Sequence, residues 1–126
     1  MSTPADRRYS DSHEWFKDDQ GTITLGITKF AVDELTDVTF VDLKPVGTAL
    51  SPGDTVGEVE SVKATSDIYS AIPGEIIEVN DKLTQDPSIL NTDPYNEGWL
   101  VRIKPSDTAP LDALHDQPAY DSKYNA

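Results

Sequence analysis

The chain has 126 residues, with 23 acidic and 10 basic side chains, a formal charge of −13 and no cysteine. This charge argues against nucleic acid and anionic membranes as partners, because binding to phosphate needs a basic face. The missing cysteines exclude disulfides, thiolate metal sites and a thiol nucleophile, so any sulfur chemistry must come from a cofactor. The acidic balance favours solubility, a monomer and docking onto positively charged surfaces of other proteins.

The length is typical of one domain, and we expect residues 1–126 to form a single unit. Its core should span about 9–104, followed by a C-terminal helix and tail at 105–126. The polar ends, 1–8 and 118–126, look loosely tied. The sequence contains no apolar run long enough for a bilayer, no secretion signal and no Arg-rich transit peptide. We therefore expect a bacterial cytoplasm, and the mitochondrial matrix only for a processed eukaryotic form.

The first elements are readable from hydrophobic periodicity. Thr22–Ile27 alternates apolar and polar residues after a turn and is typical of a half-buried strand. Residues 28–36 change to helical spacing, with Phe30 and Leu35 on one face, which predicts a short amphipathic helix. Val38–Leu43 is rich in β-branched residues and predicts another strand.

The middle of the chain contains an internal repeat. Pro52-Gly53-Asp54 and Pro73-Gly74-Glu75 lie 21 positions apart, and each precedes a β-rich segment, at 55–59 and 76–79. Lys63 lies near the midpoint between the two turns. Two such halves can pack as a flattened β-sandwich with the lysine at the tip of the hairpin between them.

The C-terminal third is richer in turns. Residues 80–94 contain several turn signals and one possible helical turn at 88–90, and 98–103 reads as the final strand. Thr108 precedes Pro110 and two leucines, which predicts an N-cap and a short helix with proline in its first turn. The expected fold is therefore mainly β, a flattened β-sandwich with short flanking helices.

Lys63 has an unusual setting. The tip reads Val62-Lys63-Ala64 and lacks the Asn-Gly or Asp-Gly pair of a tight hairpin. Exposing apolar side chains on a hairpin tip to water is unfavourable, so their presence indicates that another protein binds them. Lys63 is also the only basic residue between Lys44 and Lys82. The same stretch contains seven acidic residues: Asp54, Glu58, Glu60, Asp67, Glu75, Glu78 and Asp81.

A protruding lysine on rigid strands suits a covalently attached swinging arm. Acylation of the amine removes its charge, and the tether replaces diffusion with a high local concentration. Biotin and lipoamide are group carriers of this kind. The residues considered so far do not choose between these two cofactors.

Longer motifs resemble one family, the H protein of the glycine cleavage system, over 9–104 and more weakly to Tyr120. The specific match is Glu60-Ser61-Val62-Lys63-Ala64, whereas biotin carriers typically have Met on both sides of the lysine. The match extends back from Glu60 through Gly57-Glu58-Val59. The other matching stretches are Ser12-His13-Glu14-Trp15, Gly26-Ile27-Thr28, Phe40-Val41-Asp42-Leu43, Pro73-Gly74-Glu75 and Asn91-Thr92-Asp93-Pro94-Tyr95-Asn96-Glu97-Gly98-Trp99.

The resemblance implies a fold of the barrel-sandwich hybrid type and lipoate in amide linkage to Lys63. It implies a carrier that shuttles the aminomethyl group of glycine between three enzymes: the glycine decarboxylase (P protein), the aminomethyltransferase (T protein) and the dihydrolipoyl dehydrogenase (L protein). The H protein itself catalyses none of these steps. A lipoyl ligase or transferase would load Lys63, and Glu60 is our candidate for its recognition.

In this family the loaded arm folds into a surface cleft that protects it from water. The primary amine of the cargo is cationic and prefers oxygen acceptors. We therefore hypothesise that Ser12, Glu14, Glu34 and Asp67 line the cleft. A catalytic metal is not expected, because the chain has two histidines and no His-Glu-x-x-His motif.

Three alternative functions remain at this stage. A lipoyl relay protein, which donates lipoate from Lys63 to other lipoyl domains, would share the fold and the site. An unmodified binding module is disfavoured by the intact segment 60–67. An enzyme is disfavoured because no nucleophile, phosphate loop or metal cluster is visible. The sequence also departs from the family at Leu35-Thr36, where Leu-Gly is frequent, and at Pro73, which comes later than usual.

Overall fold

The structure is a computed structural model that describes residues 3–124, and within them the chain forms nine strands and four α-helices. The strands are β1 Arg8–Tyr9, β2 Glu14–Asp19, β3 Thr22–Ile27, β4 Val38–Leu43, β5 Ala49–Leu50, β6 Thr55–Ser61, β7 Thr65–Tyr69, β8 Gly74–Val79 and β9 Val101–Pro105. The α-helices are α1 Lys29–Leu35, α2 Asp81–Gln85, α3 Ile89–Thr92 and α4 Gln117–Tyr124, with a 3₁₀ helix at Ala109–Ala113.

The strands form two antiparallel sheets that share one core. Six strands pair in the order β1-β2-β3-β9-β8-β5 and three in the order β4-β6-β7. Alternation directs one face of each sheet inward: Val41 and Val59 pair directly and are buried, whereas their neighbours Phe40 and Glu60 also pair but stay more exposed. The predicted mainly β, sandwich-like architecture is confirmed.

Helix α1 confirms the periodicity of 28–36 and packs on the core. The Thr28 hydroxyl accepts a hydrogen bond from the Ala31 N–H and caps the helix. Val32 and Leu35 are its buried residues. The helix ends at Leu35, and the residue that follows, Thr36, has a φ of 65°.

The two Pro-Gly repeats differ in structure. Gly53 has a φ of 92° in a turn before β6. Gly74 instead lies in β8, and a Cβ there would stand 2.4 Å from the Lys104 carbonyl oxygen. Gly74 is therefore needed for close strand packing, and the strands that follow the two motifs belong to different sheets.

The C-terminal predictions need correction. The final strand begins at Val101 and not at residue 98, because Asp93 accepts the Gly98 N–H at 2.8 Å and holds that residue in a turn. Thr108 makes no side-chain capping bond, and the helix after it is 3₁₀. Helices α2 and α4 were not predicted. Neither helix has an apolar stripe along one face. The one buried residue of α2 is Leu83, and that of α4 is Tyr120.

The prediction of loosely tied ends is also wrong for the described residues. Arg7 is 8% exposed, and its guanidinium stacks on buried Trp15 at 4.5 Å from the ring centroid. Tyr9 and Tyr120 stack at 4.9 Å and join Trp15 in an aromatic cluster. This cluster fastens both ends of the chain to the larger sheet. None of the helices in residues 3–124 has the length and apolar character needed to cross a membrane.

Candidate functional site

Lys63 lies at the exposed tip of the β6–β7 hairpin, as predicted. The Ser61 hydroxyl accepts the N–H groups of Lys63 at 3.2 Å and Ala64 at 3.0 Å. The Ser61 N–H also donates to the Ala64 carbonyl at 2.8 Å. This local network fixes the backbone that carries the lysine. Sequence reasoning overlooked Ser61, although serine shortly before a turn is a known signal for this arrangement.

The tip is also tied to the rest of the sheet. The Val62 N–H donates to the Asp37 carbonyl at 3.1 Å, between α1 and β4. The Val62 side chain is 69% exposed. The hairpin therefore presents an apolar residue and an amine together on a fixed backbone, the arrangement that a modifying enzyme needs.

The outer face of the smaller sheet is acidic. Asp42, Glu58 and Asp67 stand directly opposite one another across the three strands. Glu60 lies on the same face as Glu58, two residues nearer to the tip, and pairs with Thr65. Among residues 3–124, the ion pairs include neither these four carboxylates nor Lys63. The lysine is thus available at the margin of a negative surface.

A surface cavity of about 520 Å³ opens beside the tip, and we call it the arm cavity. Its walls come from the start of β7, from α1 and from the loop before β2. Its lining consists of Ser12, His13, Ile27, Phe30, Ala31, Glu34, Leu35, Ala64, Thr65, Ser66 and Ile68. The cavity begins at the residue that follows Lys63, so a group on that lysine can reach it.

Two of the four predicted cleft residues, Ser12 and Glu34, line the arm cavity. Glu14 does not, because it is 1% exposed and lies behind Ser12. Its carboxylate accepts hydrogen bonds from the hydroxyl groups of Ser10 and Ser12, each at 2.5 Å, and from the Tyr69 N–H at 3.1 Å. Glu14 therefore fixes Ser12 and does not itself form the lining.

Asp67 also lies away from the arm cavity. Ser66 and Ile68 point into the cavity, and Asp67, between them on β7, points to the opposite face. There it lines a separate groove of about 370 Å³ with Asp42 and Glu58. The sequence could not place Asp67 relative to this cavity, because it does not show which side chains along β7 face inward.

His13 is a wall residue that sequence reasoning considered only as a metal ligand. Its φ of 73° is unusual for a residue other than glycine, and its Nδ1 lies 2.8 Å from the Tyr120 hydroxyl. Burial lowers the pKa of His13, although nearby carboxylates oppose the effect. Within residues 3–124 no group of His, Cys, Asp and Glu side chains could hold a metal ion.

The lining of the arm cavity fits a lipoyl group. Its apolar residues, such as Phe30 and Leu35, suit a hydrocarbon chain, and its volume lies in the range of about 300–1,000 Å³ usual for ligand pockets. The oxygens of Ser12 and Glu34 suit a cationic amine. Apolar walls with a few oxygen acceptors are what an amine-bearing lipoyl arm requires.

The chain is similar to known proteins over most of its length. It is 50% identical over 113 residues to the mitochondrial glycine cleavage system H protein of Oryza sativa subsp. indica, a match that covers 90% of this chain and 69% of that one. It is 48% identical over 122 residues to the glycine cleavage system H protein of Escherichia coli O7:K1, covering 96% and 95% of the two chains.

Structure and family comparisons agree with these matches. The crystal structure of a glycine cleavage system H protein from Mycobacterium marinum superposes with a TM-score of 0.90 at 36% identity, covering 98% of this chain and all of that one. The family model described as glycine cleavage H-protein matches residues 7–126. The chain therefore belongs to the glycine cleavage H-protein family.

Proposed function

We propose that Lys63 is the attachment site of lipoate and that the loaded arm rests in the arm cavity between enzyme visits. As a member of its family, the chain is a carrier component of the glycine cleavage system and not one of its enzymes. The observation that carries the proposal is the exposed lysine on a fixed hairpin tip, directly beside a cavity with suitable lining.

In this proposal the hairpin is a fixed base from which the arm extends to an enzyme or folds back into the arm cavity. Lipoate bound at Lys63 would supply a dithiolane able to carry the aminomethyl group. Ser61 fixes the tip by accepting the N–H groups of Lys63 and Ala64. The flexible lysine stem lets the arm swing while the backbone beneath it stays in place.

In the loaded state the walls of the arm cavity shield the arm from water, and their oxygen atoms bind the cationic amine of the cargo. Ser12 donates its single hydroxyl proton to Glu14, so its lone pairs remain available to an ammonium group. Glu34 supplies a carboxylate on the α1 wall. Phe30 and Leu35 cover the hydrocarbon part of the arm, and the enclosed cargo reacts more slowly with water.

We propose as partners the glycine decarboxylase, the aminomethyltransferase, the dihydrolipoyl dehydrogenase and a lipoyl ligase or transferase. The unneutralised row of Asp42, Glu58 and Asp67 supports partners with basic docking surfaces. We further propose a monomeric carrier, with residues 1–126 acting as one domain in a bacterial cytoplasm, as the sequence predicts.

Reconstitution with the three partner enzymes tests the function. The lipoylated chain should support glycine-dependent release of CO₂, and Lys63→Arg should reduce the rate to background. Lys82→Arg changes another exposed lysine and is the matched control, with unchanged activity expected. A fully lipoylated wild-type chain that supports no glycine-dependent turnover would contradict the carrier function and favour lipoate relay.

A further inference from the structure

We infer that Tyr120 is a positioning residue of the arm cavity, because its one hydroxyl ties together two of the cavity walls. The inference rests on the function proposed above. Tyr120 belongs to α4 and is fully buried, and it does not line the cavity itself. It therefore acts through the residues that it holds.

The geometry links the loop before β2 to the start of α1. The Tyr120 hydroxyl lies 2.8 Å from His13 Nδ1 and 2.8 Å from the Thr28 hydroxyl, and hydrogen bonds join both pairs. His13 lines the cavity from the loop. Thr28 caps the helix that supplies Phe30 and Ala31 to the facing wall.

The wall at His13 needs such support. Its positive φ is held against an intrinsic preference of residues other than glycine for other backbone conformations. Its ring packs against Phe30, at 4.5 Å between centroids, and against Tyr124, at 4.7 Å. Burial favours the neutral form of the His13 imidazole, which does not repel a cationic cargo. The nearby carboxylates of Glu14, Asp11 and Glu34 are negatively charged and attract such a cargo.

Helix α4, which carries Tyr120, is itself tied to the loop before β2. Oδ1 of Asp11 accepts hydrogen bonds from Lys123 Nζ at 2.9 Å and from the Tyr124 hydroxyl at 2.9 Å. His115 Nε2 contacts the same oxygen at 2.6 Å. Asp11 also belongs to the loop that carries His13, so this loop is held by α4 on one side and lines the cavity on the other.

Tyr120→Phe removes the bridging oxygen and leaves the ring in place. We expect water to destroy the cargo of the loaded arm at least about threefold faster, measured as ammonia and formaldehyde release, because the variant loses both hydrogen bonds that hold His13 and Thr28 in place. Tyr9→Phe is the matched control. It removes the hydroxyl of an equally buried ring that bonds to the Pro4 carbonyl, away from the cavity.

A second readout needs no cofactor. In the unmodified chain, NMR titration of the His13 ring should give a higher pKa in Tyr120→Phe than in wild type, because a loosened wall admits solvent. Tyr9→Phe should leave this pKa unchanged. Unfolding experiments on both variants measure their stabilities, so a general loss of stability can be separated from an effect on the wall.

Ala31→Leu, which places a larger apolar side chain in the lining of the arm cavity, separates the two proposals. Faster decay in Ala31→Leu and Tyr120→Phe but not in Tyr9→Phe supports both. Faster decay in Ala31→Leu alone overturns the role of Tyr120 and keeps the cavity. Equal acceleration in both tyrosine variants also overturns that role, and no change in any variant overturns the cavity as the resting site of the arm.

Discussion

The Ser61 side chain determines how the lysine is presented. Its hydroxyl accepts two backbone N–H groups within the tip, and its own backbone closes the turn with Ala64. These bonds are short-range and partly exposed, so their main effect is on the conformation of the tip and not on overall stability.

We expect Ser61→Ala to lower the efficiency of lipoylation at Lys63 severalfold while reducing the free energy of unfolding by about 1 kcal/mol or less. The loss should follow from a tip that samples more conformations before it enters the ligase. Steady-state kinetics of lipoylation with a purified ligase measure the effect. Ser106→Ala, at an exposed serine after β9, is the control, and equal kinetics in wild type and Ser61→Ala would contradict the role of Ser61.

The sequence predicted the exposure and facing direction of some site residues but not of others. Lys63 was predictable because its exposure follows from local composition and from its place between two strands. The positions of Glu14 and Asp67 were not predictable. Hydrogen-bond donors that include Ser10 and the Tyr69 backbone occupy the Glu14 carboxylate, and Asp67 faces away from the cavity. Burial and facing direction depend on contacts that are distant in the sequence.

At the scale of elements, the end of α1 is strained. Thr36 has a φ of 65° and a ψ of −134°, a region that a β-branched residue rarely adopts. Asn91 stabilises the turn from α3: its Nδ2 donates to the Thr36 carbonyl at 2.6 Å, and its Oδ1 accepts the Val38 N–H at 3.0 Å. This turn positions α1, and so the Phe30 wall of the arm cavity.

Thr36→Gly should raise the free energy of unfolding by about 1 kcal/mol, because glycine adopts this conformation without steric strain. Urea denaturation measures the change. Thr39→Gly, in strand β4, should instead destabilise the protein by roughly 0.5–1 kcal/mol. A Thr36→Gly variant no more stable than wild type would show that the strain at this turn is negligible.

Elements with a clear period were predictable, and those without one were not. β3, β4 and α1 carry alternation or helical spacing, and their bounds agree closely with the expectation. α4 is polar around most of its surface and is held by one buried tyrosine and the Asp11 contacts, so its sequence resembles a tail. Tertiary contacts stabilise it where local pattern does not.

At the scale of the molecule, Asp11 joins the two ends of the chain. Hydrogen bonds from Lys123, His115 and Tyr124 hold the pKa of Asp11 well below its usual range. A carboxyl whose pKa is lower in the folded state stabilises the fold above its unfolded value of about 3.9. That stabilisation is lost as the pH falls through the folded-state pKa.

Asp11→Asn should therefore lower the free energy of unfolding by roughly 0.5–1 kcal/mol at neutral pH, a modest figure because Asp11 is largely exposed and solvent screens the contact. The difference from wild type should shrink below about pH 4 as Asp11 is protonated. Urea denaturation across this range measures it, with Asp112→Asn, at an exposed aspartate, as control. A difference independent of pH would contradict the ionic origin of the effect.

The carrier function proposed for this chain depends on a lipoyl group at Lys63. Intact mass spectrometry of the chain after expression with a functional lipoylation pathway tests it most directly. We predict a species heavier by one lipoyl group, with the added mass on the peptide that contains Lys63, and no such species in Lys63→Arg. A wild-type chain that never gains this mass, or a Lys63→Arg variant that still gains it, would rule out Lys63 as the lipoyl attachment site.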